Sequence, residues 1–431
     1  MDNLTREDIE EAFYPSREID NPAFFAGRKE EIKTAVRALN DIRSFIPIFG
    51  IRGIGKTSLA KQVKLISEGD ETLQKMLYLD RYIETANLKF DYLTHYITCD
   101  KSIKNTNDLI KRIVFGDESS EELFDHTDKG NKIKKEVVES FSNITKINFK
   151  SLLDFTLKKG ENVKYEIKES DDTIQNFRKL LGQIQKENFH KKGFIIFIDE
   201  FDLIEDKTGF GSLIKACTND FFKFCIIGIS DSFATLISDH ESISRFSYPI
   251  KIDKMLDYEL SEILKKAENR VSYYLNINED ARDYIVKLAG GFPYFVHLIG
   301  KESFYLAHGR GQRTIDVETV DSVFRRIAEG RLPILYETLY LEAIDYSEEK
   351  EVLLLLFAEE KNTVIPTKEI YKNAKELGIT SPAAITKSLV MDEKSKPVLQ
   401  KISNGRYSFI DPIFKVYVRI RGLKNSKTNT M

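Results

Sequence analysis

Two rhythms of apolar residues run along the chain. Unbroken runs at Phe45 to Phe49, Phe194 to Ile198 and Phe224 to Ile229 read as buried strands, and the last two as central strands of a parallel sheet. A strand covered on both faces needs no polar side. His95 to Asp100 adds a further strand. Elsewhere apolar positions return every three or four residues: Ile32, Val36 and Leu39; Leu59, Val63 and Ile66; Ile263, Ala267 and Val271. These spacings predict helices with one buried face. Between Lys101 and Lys192 the chain is long and charged, with one amphipathic helix at Asp171 to Lys186 carrying Ile174, Phe177, Leu181 and Ile184, and a strand or hairpin at Ile147 to Ile167. From Asp257 to Glu329 the pattern is helical, broken once at Ala289-Gly-Gly-Phe-Pro293. Near the end, Glu351 to Phe357, Thr367 to Leu377 and Ser381 to Val390 read as helices. Val398 to Ile402 and Arg406 to Ile410 follow as strands joined by Asn404-Gly405, a strong hairpin signal.

The expected organisation is an α/β core over 1–256 with an insertion at about 101–192, a helical domain over 257–346, a winged-helix domain over 347–421 and a polar tail over 422–431. The 431 residues, 42% of them hydrophobic, allow two or three such cores. Three widely spaced cysteines, Cys99, Cys217 and Cys225, suit neither a disulfide framework nor a zinc site and read as reduced core residues. No apolar run reaches the roughly 18 residues needed to span a bilayer, and the acidic start lacks a signal-peptide core, so no membrane partner is expected and the cytoplasm is the expected compartment. A net charge of −3 does not point to a polyanionic partner for the whole chain.

Chemistry enters at Gly50-Ile51-Arg52-Gly53-Ile54-Gly55-Lys56-Thr57-Ser58, which fits G-x-x-x-x-G-K-[ST] in full between a strand and a helix. The glycines let backbone N–H groups curl around an anion, Lys56 reaches outer phosphates, Thr57 offers a hydroxyl to Mg²⁺, and the following helix aims its positive end at the same point. Nucleotide binding follows, with ATP or ADP and Mg²⁺ as the expected ligands. Hydrolysis also requires a carboxylate on the far side of the metal and a base for water. Asp199 and Glu200, ending the run Phe194 to Ile198, fit these jobs: Asp199 toward Mg²⁺ and Glu200 as base. Ser230 and Asp231 end the next strand, either near the γ-phosphate or simply as a polar turn. By charge alone Arg245 is a surface arginine.

Together these segments resemble the AAA+ superfamily of P-loop ATPases, in the branch shared by archaeal origin-recognition initiators and the STAND signalling ATPases. The resemblance spans roughly Phe13 to Arg421 and rests on Phe25-Ala-Gly27-Arg28-x-x-Glu31, Gly50 to Thr57, Asp199-Glu-Phe-Asp202 and Gly291-Phe-Pro293. It implies that Phe25, Gly27 and Arg28 flank the adenine, that Pro293, with His297 one turn on, contacts the nucleotide from a helical lid, and that Arg245 reaches a neighbouring subunit's phosphate. Two departures stand out. The lid segment Gly290 to His297 has no arginine, and the strand-end sensor is Ser230-Asp231 where initiators carry Asn or Thr. Both weight the reading toward a slow ATP-controlled assembly switch that self-associates through its core and signals to an effector protein. The alternative is a DNA-binding ATPase of the initiator or transposition-regulator type. Its recognition helix, Ser381 to Val390, would offer only Lys387, with Lys394, Lys396, Lys401, Arg406, Arg419, Arg421 and Lys424 nearby, a thin basic stripe for duplex.

Overall fold

The computed structural model describes residues 4–15, 17–79, 89–116, 122–126, 173–230, 232–237, 241, 243–271, 274–329, 331–360, 362, 364–391, 396–411, 414–419 and 421–422. The strand or hairpin expected at Ile147 to Ile167, Asp231, Lys394, Lys424 and nearly all of the polar tail lie outside these residues.

Five parallel strands, β1 (Phe45–Gly50), β2 (Tyr92–Thr98), β3 (Gly193–Asp199), β4 (Phe222–Ile229) and β5 (Ile250–Ile252), lie in the order β2-β3-β4-β1-β5. Their continuous hydrophobicity has a direct cause, because both faces are covered. On one face Ile46, Ile48, Ile195, Phe197, Cys225 and Ile227 pack with Ile32 and Val36 of α1 (Lys29–Asn40) and Leu59 and Val63 of α2 (Lys56–Ser67). On the other, Phe194, Ile196, Ile198, Phe224 and Ile226 meet α3 (Thr106–Phe115), α4 (Thr173–Glu187) and α5 (Phe210–Cys217). The two ends of the segment expected to be an insertion are therefore core helices: Leu109, Ile113, Phe177, Leu181 and Ile184 are buried against the sheet. Strand β5, only three residues long, gave no readable run. All three cysteines are buried thiols; burial pushes Cys99 and Cys217 up to about 12 and Cys225 well above its ordinary value.

The strand ends bring the chemistry to one edge, because all five strands run the same way and their carboxyl ends open there. Gly50 closes β1 where an added Cβ would stand 2.4 Å from the carbonyl oxygen of Ile252. No other residue allows β5 to pass so close.

Beyond the sheet, α6 (Asp257–Val271), α7 (Glu279–Ala289), α8 (Pro293–Gly309) and α9 (Val317–Glu329) form the helical bundle, tied by a parallel pair of two-residue strands, Asn276–Ile277 and Thr314–Ile315. Pro293 occupies the first turn of α8, where a missing N–H costs nothing. A linking helix, α10 (Arg331–Ile344), leads to α11 (Glu348–Glu359), a short strand Ile365–Pro366, α12 (Thr367–Glu376), α13 (Pro382–Val390) and the hairpin Leu399–Ser403 with Arg406–Phe409. Helix–strand–helix–helix–strand–strand, with the short strand paired to the second hairpin strand, is the order of a winged helix.

A last helical stretch over residues 414–419 returns this module toward the core. Its buried Lys415 donates to the carbonyls of Glu360 (2.5 Å) and Asn362 (3.0 Å). Burial first, then the neighbouring charges of Lys254 and Arg419, hold its pKa down to about 7, against the weaker pull of Glu360. The folded value lies below the unfolded one, so the charged form costs stability at low pH. That cost is relieved at about 1.4 kcal/mol per unit as pH rises from about 7 toward 10.5. Replacing Lys415 by Met is therefore expected to stabilise most below pH 7, with the advantage over the parent shrinking toward pH 10 in urea titrations. A pH-independent difference would contradict the assignment.

Candidate active site

A cavity of about 730 Å³ opens at the carboxyl edge of the sheet between the core and the bundle. The loop Arg52 to Ser58 forms its floor, Asp199, Glu200 and Asp202 one wall, and Pro293, Tyr294 and His297 the roof. The loop curls because Gly53 and Gly55 take positive φ (73° and 97°), conformations costly for any residue with a Cβ. Lys56 folds back, its Nζ donating to the Ile51 carbonyl at 3.0 Å. Burial lowers its pKa, and the carboxylates of Asp202, Glu200 and Asp199 pull the other way.

Strand β3 delivers the acids in a fixed array. Asp199, 4% exposed, accepts the Tyr96 hydroxyl on Oδ2 (2.6 Å) and the Glu200 N–H on Oδ1 (2.8 Å). Glu200 is left-handed at φ 53° and ψ 35°, a strained backbone of the kind that collects at working sites. Its pKa is raised, by burial first and then by Asp199 and Asp202, with Lys56 and Arg52 opposing. Asp202 takes the Ile229 N–H on Oδ1 (2.7 Å), which locks the end of β3 to the end of β4.

The Phe25 to Arg28 segment divides its labour. Phe25 lines the cavity, whereas the Gly27 N–H donates to Glu262 (3.1 Å) on α6. Arg28 also borders the cavity, but its guanidinium is committed elsewhere: to the carbonyls of Asp253 (2.7 Å) and Ile54 (3.0 Å) and to Glu31 (3.2 Å). It braces the phosphate loop against the end of β5. Of the loop, Gly50 and Ile51 lie outside the lining, and Arg52, Gly53, Ile54, Gly55, Lys56, Thr57 and Ser58 lie within it.

An N-terminal strap completes the walls. The Tyr14 N–H donates to Nδ1 of His297 (3.3 Å), and the Ile19 N–H donates to the Ser58 hydroxyl (3.1 Å). Burial holds His297 down to about 4, so it is neutral at ordinary pH. Ser230 is turned away: its hydroxyl donates to the Ser232 carbonyl (2.7 Å), and it does not line the cavity. Arg245 is exposed in a short 3₁₀ turn, Ser244–Phe246, also apart from the cavity. Tyr96 and the strap are among the site members that the sequence did not single out. Tyr96 depends on the pairing of β2 with β3, and no local motif announces that pairing.

Thr57 and Asp199 bring the hard oxygen donors that Mg²⁺ prefers, beside a glycine cradle open to phosphates. Among the described residues no cluster of three or more His, Cys, Asp or Glu forms a separate metal site, and no helix is long and apolar enough to cross a membrane.

No protein-family model matches the chain, and no curated protein matches it in sequence. Solved structures do superpose over most of its length. The Thermotoga maritima RuvB Holliday junction branch migration motor is 16% identical at a TM-score of 0.41, covering 89% of this chain and 92% of that one. The Aeropyrum pernix ORC1 protein in complex with DNA is 17% identical at 0.42, covering 97% and 96%. Cdc6p of Pyrobaculum aerophilum is 14% identical at 0.43, covering 97% and 98%. The sheet order, the loop after β1 and the acids at the end of β3 are the chain's own features, and they give it a P-loop α/β fold with a helical bundle beside the cavity.

Proposed function

We propose that this chain is an ATP-binding, Mg²⁺-dependent ATPase that serves as a slow, nucleotide-controlled assembly switch acting on a protein partner. The observation that carries the reading is the single cavity in which the phosphate loop, the Asp199–Glu200 pair and the lid residues Pro293 and His297 meet. Backbone N–H groups of the loop and Lys56 bind the outer phosphates. Thr57 and Asp199 would hold Mg²⁺, which when bound would supply charge neutralisation at the phosphates. Glu200, whose raised pKa makes it the stronger base, takes the proton of the attacking water. The Phe25, Met255 and Ile263 side chains give the adenine an apolar bed.

The switch reading draws support from the route by which the cavity touches the C-terminal module. Arg52 acts electrostatically on Tyr336 of the linking helix, and the Tyr336 hydroxyl donates to Asp411 (3.0 Å) at the foot of the 414–419 stretch. Tyr336 is thus the residue through which the switch reading would link the loop to the winged-helix-like module. For duplex binding, α13 presents Lys387 as its one basic side chain, so the DNA reading is not favoured. In this reading Arg245 keeps the role of a residue that meets a second subunit.

Phosphate release tests both halves of this reading. Turnover should require Mg²⁺ and stop with chelator, and duplex DNA should neither bind steeply with falling salt nor speed the reaction. Duplex affinity lost on neutralising Lys387, Lys401 and Arg406 would instead establish the initiator-type alternative.

A further inference from the structure

We propose that Tyr96 is the positioning residue of the metal-binding carboxylate: its hydroxyl sets the orientation in which Asp199 meets Mg²⁺. The inference rests on the nucleotide site described above and assigns a role within it to strand β2. Strand register brings this about, because Tyr96 pairs with Phe197 and Thr98 with Asp199 across β2 and β3. The Tyr96 side chain therefore lies beside the end of β3 with its hydroxyl 2.6 Å from Asp199 Oδ2. Its ring stacks on Phe197 at an interplanar angle of 17°, and the Lys61 ammonium sits 4.1 Å above the ring centre. These contacts leave the phenol little freedom to swing away.

The same strand supplies a control. Tyr92, four residues earlier and buried on the same face, spends its hydroxyl on the Leu39 carbonyl (2.7 Å), remote from the cavity. Filling the core thus does not by itself aim a tyrosine of β2 at a carboxylate. Tyr96, by contrast, lines the cavity and turns its hydroxyl to Asp199.

The geometry of Asp199 gives that donor its purpose. Each carboxylate oxygen already accepts one hydrogen bond, Oδ1 from the Glu200 N–H and Oδ2 from Tyr96. These two bonds fix the plane of the carboxylate and leave only its outward lone pairs for a metal or a metal-bound water. Without the phenol, one oxygen of a nearly buried carboxylate loses its partner and the group is free to rotate. Outer partners of metal ligands are typically worth about 10–100-fold in metal affinity.

Tyr96→Phe tests this directly, since it removes only the hydroxyl and keeps the ring between Phe197 and Lys61. The readout is Mn²⁺ binding to the ADP complex by electron paramagnetic resonance, beside ADP affinity in chelator, with Asp199→Asn measured in parallel. Expected is a metal affinity about ten-fold or more weaker in Tyr96→Phe, with metal-free ADP affinity unchanged, a thermal midpoint lowered only as far as one lost hydrogen bond accounts for, and a Mg²⁺ requirement for turnover raised more than kcat is lowered. Metal affinity equal to the parent in Tyr96→Phe, while Asp199→Asn loses it, would overturn the role of Tyr96 alone. Metal affinity unchanged in both variants would overturn the assignment of Asp199 beneath it.

Discussion

Lys56→Ala is expected to weaken ATP binding by about 10²-fold or more, the loss typical when one partner of a buried charge pair is truncated. In the fold as it stands, Lys56 is a desolvated cation answered by Asp202, Glu200 and Asp199 at a distance and by the Ile51 carbonyl directly. Burial is the larger influence and lowers its pKa, so the ammonium is held at some cost that an arriving polyphosphate would offset. Alanine at this position also falls at the start of α2, where it suits a helix. Folding should survive, and loss of binding would then report the site and not the scaffold. Calorimetric titration with ATP and ADP checks this. Parent-like affinity in a folded Lys56→Ala protein would remove the loop from the binding site.

Glu200→Gln should separate binding from turnover. The amide keeps the length and shape of the side chain but cannot take a proton, and the loss of a positioned base typically costs about 10²–10⁴-fold in rate. Binding should hold or tighten, because one of three carboxylates facing the phosphates becomes neutral while Asp199 and Asp202 remain. The left-handed backbone at position 200 is no harder for Gln than for Glu, so the variant should fold as the parent does. Single-turnover phosphate release is the measurement; an unchanged rate would take Glu200 out of the role of base.

Local signals made the floor and one wall of this site readable. The phosphate loop is contiguous, and Asp199-Glu200 follows an apolar run too long and too uniform to be a surface segment. Helices with regular spacing, such as those holding Leu59, Val63 and Ile66 or Ile263, Ala267 and Val271, were readable for the same reason. Pairings at long range were not. That β2 lies beside β3, with Tyr96 reaching Asp199, depends on a strand order that no window of sequence contains. Arg28 carries the pattern of an adenine neighbour, yet its donors run to Ile54, Asp253 and Glu31, and only the fold brings those carbonyls together. For Ser230 the sequence left two places open, beside the γ-phosphate or in a polar turn, and its hydroxyl donates to a carbonyl two residues on, as serines in turns do.

The most direct test of the switch is the mass of the Glu200→Gln protein by light scattering, with ADP and then with ATP and Mg²⁺, each with and without duplex DNA. The account predicts a larger assembly with ATP and Mg²⁺ alone, no change with ADP and no requirement for DNA. A mass that stays constant with ATP, or rises only when duplex is added, would contradict it.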